Sequence, residues 1–188
     1  MGSERDGDAA RGSGSGWART LWIGVCGLYA ASVLWAAARL PDRVASHFGW
    51  SGVADGWSSR TGWLVFSVLI GVGVLVLPAA TSLLTRGSAA FVNVPHKDYW
   101  LDERHPQRRA EFQRRFGQDM ALLSAATGLL LVWMQLETVY AQRLDPPRLS
   151  GGSVVALIAY LGAVLGWCVW VMRVRYRPPG SEASDHRA

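Results

Sequence analysis

His47 and Asp55 are the two residues of this chain whose types and spacing are best suited to chemistry. Histidine changes its charge near neutral pH, and an aspartate eight positions later could hydrogen-bond to it or share a metal ion with it. A catalytic zinc ion usually has three protein ligands; no third ligand is evident in this loop, and the other outer loop offers only Asp145. We therefore interpret the pair first as a structural hydrogen bond, with a proton sensor or a metal site as alternatives. We expect no bound metal and no cofactor.

Glu137 and Gln135 are the strongly polar residues inside an otherwise apolar stretch, 120–140. An ionisable residue within a membrane-spanning segment is a functional candidate by default, although Glu137 lies close to the end of this stretch. Pro78 lies in a second apolar stretch, where its missing N–H can kink a helix. These residues indicate one alternative function, a small oligomeric transporter or channel component that uses Glu137.

Four long apolar stretches must position these residues. Each is close to the roughly 20 residues that a helix needs to cross the hydrocarbon of a bilayer. Backbone groups in lipid must satisfy their own hydrogen bonds, so each stretch is predicted to be helical. The sequence therefore predicts an all-α membrane protein, a four-transmembrane-helix bundle over residues 17–172. The predicted spans are 17–38, 62–84, 120–140 and 153–172.

The basic residues predict the orientation of this bundle. Of the 19 Lys and Arg residues, 14 lie on the side of the two tails and the loop between the second and third stretches, counting Arg19 at the start of the first stretch, and 5 lie in the other two loops. Cytoplasmic loops carry an excess of Lys and Arg, so both tails, 1–16 (disordered) and 173–188, are predicted to be cytoplasmic. Basic residues that flank apolar spans favour a partnership with the lipid bilayer of the cell membrane, and we expect no nucleic acid partner.

Small residues predict where helices approach each other. Gly162-x-x-x-Gly166 in the fourth stretch and Gly27-x-x-x-Ala31 in the first leave little side chain between neighbouring helices. These motifs are frequent in membrane helices, so they suggest packing faces and leave a homo-oligomer open.

The loop 40–57, predicted to face outward, is rich in turn signals. Pro41 ends the first helix, and residues 44–48 are suited to a short extended stretch. Asp55-Gly56 is a turn dipeptide, because glycine adopts positive φ and aspartate bonds to its own backbone. The loop is therefore predicted to form a short outer cap over the ends of the helices.

The spacing of these loop residues resembles the signature of a membrane family, the domain-of-unknown-function family 1648. The resemblance rests on a first block comprising Leu40, Pro41, Val44, His47, Phe48, Gly52, Asp55, Gly56 and Trp57. A second block resembles the inner loop of many members and comprises Asn93, Pro95, Asp98, Tyr99 and Trp100. The same domain forms the N-terminal part of the SdpI-like immunity proteins, multi-pass proteins that protect a producing cell from a secreted toxic peptide. The resemblance thus implies a multi-pass membrane protein and makes an immunity-type function an expectation.

The composition of the inner loop, 86–118, becomes typical of a helix from Pro106 onward. Phe112 and Phe116 are four residues apart and share one face of a predicted helix whose other residues are largely basic. This pattern predicts a basic cytoplasmic amphipathic helix on the membrane surface, with a solvated extension of the third span as the alternative. Tyr99 and Trp100 are suited to the head-group layer.

The sequence carries no recognisable catalytic motif, so we predict that the protein is not an enzyme. The leading hypothesis is a binding, sensing or immunity-type protein that meets a peptide or small-molecule ligand on its outer face. The candidate ligand-binding or structural residues are His47, Phe48, Gly52, Asp55, Gly56 and Trp57. A third hypothesis is a membrane-embedded metal enzyme that uses His47 and Asp55.

Overall fold

A computed structural model describes residues 3–84 and 94–178 of the chain. Six α-helices, two π-helical segments and one antiparallel pair of strands make up this part. The α-helices are α1 (Ser3–Ala37), α2 (Arg60–Gly71), α3 (Leu77–Leu84), α4 (Lys97–Trp100), α5 (Pro106–Ala141) and α6 (Gly151–Trp170). The strands are β1 (Arg43–Phe48) and β2 (Ala54–Ser59), and the π-helical segments are Val72–Val76 and Val171–Arg175.

Four helices of the described chain are long and apolar enough to cross a membrane, which confirms the predicted number of segments. They are Gly16–Ala37, Arg60–Thr81, Pro106–Ala141 and Gly151–Arg175. The second runs without a break through α2, a π-helical segment and α3, and the fourth continues from α6 into the other π-helical segment. The fold class needs one addition, because the cap between the first two spans is a two-stranded sheet.

Two helices extend well beyond the predicted spans. Helix α1 begins at Ser3, whereas the sequence predicts a disordered tail over 1–16. Helix α5 begins at Pro106, fourteen residues before the predicted start of the third span at Met120. Extending a helix that is already nucleated adds one hydrogen bond per residue, so polar residues can continue a ladder that an apolar stretch has started. Hydropathy locates the apolar part of such a helix and misses its polar extension.

Glycines set the packing of the first three spans, at positions other than those predicted. A Cβ on Gly128 of α5 would lie 2.6 Å from Val25 Cγ1 and 2.8 Å from Leu75 Cδ2, and a Cβ on Gly71 would collide with the ring of Tyr29. Close helix approach through small residues is typical of membrane bundles. By contrast, Cβ atoms on Gly27, Gly162 or Gly166 would meet no described atom within 4 Å. The predicted packing motifs therefore face open space.

The predicted irregularity at Pro78 takes the form of a π-helical segment just before it, Val72–Val76. Proline removes a backbone donor, which leaves carbonyl groups of the preceding turn without their usual partners. The indole Nε1 of Trp22, on α1, donates to the Leu75 carbonyl over 3.1 Å. This interhelical hydrogen bond joins the irregular turn to α1.

Helix α6 lies at the edge of the bundle. None of its residues is buried within the described protein. Midway along it, the hydroxyls of Tyr160 and Thr127 of α5 lie 2.6 Å apart. Large apolar side chains of α6, such as Val155 and Leu165, are 67% exposed. Such exposure is unfavourable in water and favourable in lipid.

Candidate functional site

The two ends of the bundle hold the residues that the sequence singles out. We name them the hairpin end, formed by residues 38–59 and 142–150, and the Tyr176 end, formed by residues 94–119 and 171–176. The chain passes from one to the other through each of the four long helices.

The hairpin end is built on the pairing of β1 with β2. Arg43 pairs with Ser59 and Phe48 with Ala54, with irregularities in register on both sides of His47. Val44 and Ala45 are fully buried. Val44 belongs to an apolar cluster that includes residues of α1 and α5. The buried part of β1 therefore fixes the hairpin on the helices and leaves its tip outside.

His47 and Asp55 meet across this hairpin, as the spacing predicts. His47 Nδ1 lies 2.5 Å from Asp55 Oδ1, and the two side chains are 74% and 54% exposed. A Cβ on Gly56 would lie 2.8 Å from the Cβ of its pairing partner His47, and a Cβ on Gly49 would lie 2.9 Å from Asp55 Oδ2. Gly52 has a φ of +76°, a conformation that favours glycine. The glycines of this motif thus make room for the histidine–aspartate contact and its turn.

The described residues hold no group of three or more His, Cys, Asp or Glu side chains that could bind a metal ion together. The His47–Asp55 contact therefore supplies two candidate ligands at an exposed position. The geometry accounts for it most simply as a hydrogen bond that ties the hairpin tip.

The loop between α5 and α6 holds the hairpin in place, and no pattern in the sequence predicts this contact. Ala54 N donates to the Pro147 carbonyl, and Leu149 N donates to the Gly52 carbonyl, each over 2.9 Å. The Gln142 side chain accepts from Ala45 N over 2.9 Å and donates to the Ala45 carbonyl over 3.2 Å. Backbone pairing from two sides makes the hairpin a firm platform.

Two tryptophans of this platform stay exposed. Trp50, at the tip, is fully exposed, and Trp57 is 43% exposed with the Arg43 guanidinium 5.0 Å from its ring centre. A shallow hollow of about 380 Å³ lies beside Trp57, lined by Asp42, Arg43, Trp57, Ser58 and Ser59. Exposed tryptophan beside arginine is a combination enriched at binding hot spots. We call Trp50, Trp57, Arg43, His47 and Asp55 the hairpin surface.

Glu137 has a structural partner. Its Oε1 accepts from Ser150 Oγ over 2.9 Å, and its Oε2 lies 3.3 Å from Ser150 N, at the N-terminus of α6. A carboxylate at a helix N-terminus is favoured by the unsatisfied N–H groups and the helix dipole. Gln135 is buried and accepts from Trp63 Nε1 over 3.3 Å. Both polar residues of the third span thus join helices together.

The Tyr176 end holds the second sequence block. Trp100, on α4, is buried, and its Nε1 donates to the Tyr176 carbonyl over 2.7 Å. Tyr99 lies beside Trp100, with the Arg108 guanidinium 4.2 Å from the Tyr99 ring centre. Pro95 and Asp98 lie in or next to α4, and Asn93 falls outside the described residues. We expected Trp100 in the head-group layer, whereas the structure buries it inside the protein.

The predicted amphipathic helix is the first part of α5 and packs on protein. Phe112 is fully buried against Trp100 and Tyr176, and Phe116 stacks on Phe112 with ring centres 5.6 Å apart. The segment is continuous with the third span, which both sequence-based interpretations share, and its phenylalanine face packs on protein and is not solvated. The phenylalanine face is covered by residues distant in sequence, which periodicity cannot reveal.

Asp119 and Tyr176 form a polar contact that no pattern in the sequence predicts. The Tyr176 hydroxyl donates to Asp119 Oδ2 over 2.8 Å, and Arg175 Nη2 lies 3.2 Å from Asp119 Oδ1. Burial, reinforced by the hydrogen bond to the Asp119 carboxylate, raises the pKa of Tyr176 well above its usual value. Arg115 donates to the Arg175 carbonyl over 2.9 Å. These contacts join α5 to the end of the fourth span.

The fold and its two ends define a protein with four helices of membrane-spanning length and a β-hairpin cap. Residues 24–72 match the model of a family described as Domain of unknown function (DUF1648). This match confirms the resemblance that the first sequence block predicts, and its 49 of 188 residues cover most of the apolar part of α1, the hairpin and α2. The second block lies outside the matched residues. No curated protein and no solved structure gives a significant match to the chain.

Proposed function

We propose that this chain is a non-enzymatic, multi-pass protein of the cell membrane that binds a peptide on its hairpin surface. The observation that carries the proposal is the exposure of Trp50 and Trp57 on a hairpin whose backbone is held by the α5–α6 loop. A tryptophan that is exposed on the cap is available to a ligand, and a rigid platform lowers the entropy lost on binding.

The proposed orientation places the hairpin end outside and both termini in the cytoplasm. It is supported by the excess of Lys and Arg at the Tyr176 end and in the tails. With this orientation the hairpin surface meets molecules that arrive from outside the cell. Sensing of, or immunity to, a secreted peptide is the physiological form of binding that we favour.

The chemistry of the hairpin surface suits a peptide with apolar and charged groups. Trp50 and Trp57 offer flat apolar area, Arg43 can pair with a carboxylate, and the His47–Asp55 pair can accept from an ammonium or amide group. Peptides present all of these groups within the span of a short segment, which a single small apolar molecule does not.

Peptide selection tests the proposal. A phage-displayed library of short peptides is panned against the protein in nanodiscs, and enriched peptides are measured by surface plasmon resonance. Trp50→Ala should weaken binding about tenfold or more, as expected for a tryptophan hot spot of about 2 kcal/mol. Trp133→Ala, which removes a 40% exposed tryptophan of α5 outside the hairpin surface, is the matched control and should leave binding unchanged.

His47→Ala and Asp55→Ala separate binding from folding at the motif. Both variants should reach the membrane in normal amounts and bind enriched peptides more weakly. If they only lower the amount of protein, the motif is a folding element. If no peptide is enriched over empty nanodiscs, the proposed ligand class is wrong.

A further inference from the structure

A second cavity lies near the Tyr176 end, between α1, the second span and α5. Its volume is about 800 Å³, within the range of small-molecule sites. It is lined by Arg19, Trp22, Val76, Ala79, Ala80, Leu83, Ala110, Gln113, Arg114, Gly117, Gln118 and Ala121. Five of these residues are alanine or glycine, so the helices leave a space that their side chains do not fill.

The wall of this cavity is apolar on one part and cationic on another. Trp22, Val76 and Leu83 provide the apolar part. Arg19 provides one guanidinium, and no hydrogen bond or ion pair to it occurs among the described residues. Arg114 provides the second, fixed by Glu111 through Nε (2.9 Å) and Nη2 (2.8 Å), which leaves its Nη1 group unused by that pair. A ligand here would need an anionic group joined to an apolar one.

Depth along the helices places the two arginines where lipid head groups lie. Arg19 precedes Ala37 by 18 residues, or about 27 Å of helix, and Ala121 precedes Ala141 by 20 residues, or about 30 Å. The hydrocarbon of a bilayer is about 30 Å thick. Arg19 and Ala121 therefore mark the inner edge of the hydrocarbon, and Arg114 lies about 10 Å further out, near the depth of the phosphates.

We propose that this cavity is a binding site for an anionic phospholipid of the inner leaflet. The phosphate group lies between Arg19 and Arg114, and the first part of an acyl chain lies against Trp22 and Val76. Charge complementarity selects an anionic lipid, and the small residues of α3 and α5 give the chain its space. The proposal shares with the proposed function only the placement in the membrane, and it does not depend on the hairpin surface.

Native mass spectrometry of the full chain tests this site. The protein is released from mixed micelles that contain equal amounts of phosphatidylglycerol and phosphatidylcholine, and retained lipids are counted. The wild type should retain phosphatidylglycerol in preference to phosphatidylcholine. Arg19→Gln should lower this retention about fivefold, the effect expected for one basic residue near an anionic group.

Arg143→Gln is the matched control, because Arg143 is exposed at the hairpin end and its loss changes the net charge equally. It should leave retention unchanged. Ala80→Phe fills the cavity and should abolish retention of the lipid without changing the charge. Circular dichroism and gel filtration of each variant check that the fold is kept. If Ala80→Phe disturbs the fold, the lipid retention of Arg19→Gln alone tests the site.

Three results would overturn the proposal. These are equal retention of the two lipids by the wild type, an equal loss for Arg19→Gln and Arg143→Gln, and displacement of the lipid by millimolar inorganic phosphate, which would indicate a site for a soluble anion. If cysteine labelling in intact cells shows the two ends of the bundle on opposite faces of the membrane, any of these three results rejects only the lipid site. The proposed membrane placement is then unaffected.

Discussion

The two ends of the bundle use similar residues in opposite ways. Each holds tryptophan beside arginine and an aspartate beside a second polar side chain. At the hairpin end Trp50 is fully exposed and His47 and Asp55 face solvent. At the Tyr176 end Trp100 and Asp119 are buried, and their partners come from the end of the fourth span. Burial thus decides which set is available to a ligand and which holds the helices together.

The largest expected effect comes from exchanging the two tryptophans in turn for alanine. Trp100→Ala should lower the free energy of unfolding by about 3–5 kcal/mol, because it opens a cavity and removes the hydrogen bond to the Tyr176 carbonyl. Trp50→Ala should change it by less than about 0.5 kcal/mol. Thermal unfolding in detergent measures both. Equal losses of stability for the two variants would contradict the distinction between a Tyr176 end that stabilises the fold and a hairpin end that is free to bind a ligand.

The contact between Asp119 and the fourth span is the next test. Asp119→Ala should destabilise the protein by about 2 kcal/mol, since it leaves the Tyr176 hydroxyl without its acceptor and Arg175 without its counter-ion. Arg175 is partly exposed, so water limits the loss. Glu111→Ala, which breaks more exposed ion pairs, should cost less than about 1 kcal/mol. The reverse order in thermal unfolding would contradict this assignment.

A third test concerns the room that glycine provides at the hairpin end. Gly56→Ala should cost about 1–2 kcal/mol, because the new Cβ meets His47 Cβ and must displace it. The double variant Gly56→Ala with His47→Gly should recover part of this loss. If Gly56→Ala leaves both stability and peptide binding unchanged, the hairpin is less firm than the contacts indicate.

The pKa of Tyr176 gives the smallest effect and a pH dependence. Its raised pKa means that the folded protein keeps the phenol neutral, so this contribution to stability is present below pH 10 and is lost as the pH rises above it. Tyr176→Phe should remove this part of the alkaline loss of stability. Thermal unfolding of both proteins from pH 8 to 11 measures the difference, and parallel curves would contradict the assignment.

The sequence predicts those features of this fold that depend on neighbouring residues. The apolar stretches identify four long helices because spanning requires about 20 apolar residues in a row. The His47–Asp55 contact and the role of Gly52 follow from local turn chemistry. Strand β2, Ala54–Ser59, is poor in β-forming residues and owes its conformation to pairing with β1 and to the α5–α6 loop.

The features that the sequence does not predict join residues far apart in the chain. Gln142 bonds to Ala45 across 97 positions, and Tyr176 to Asp119 across 57. Neither contact leaves a periodic or local signal. The burial of Trp100 is of the same kind, because an aromatic residue beside a span fits the head-group layer and a protein interior equally well until its neighbours are known.

Labelling of the two ends in intact cells tests the account most directly. Cysteines are introduced singly as Ser51→Cys and Glu103→Cys, both at exposed positions, in a chain that carries Cys26→Ala and Cys168→Ala. A membrane-impermeant maleimide should label Ser51→Cys in intact cells and Glu103→Cys only after lysis. Labelling of Glu103→Cys in intact cells, or of both positions alike, would contradict a bundle that presents its hairpin to the outside.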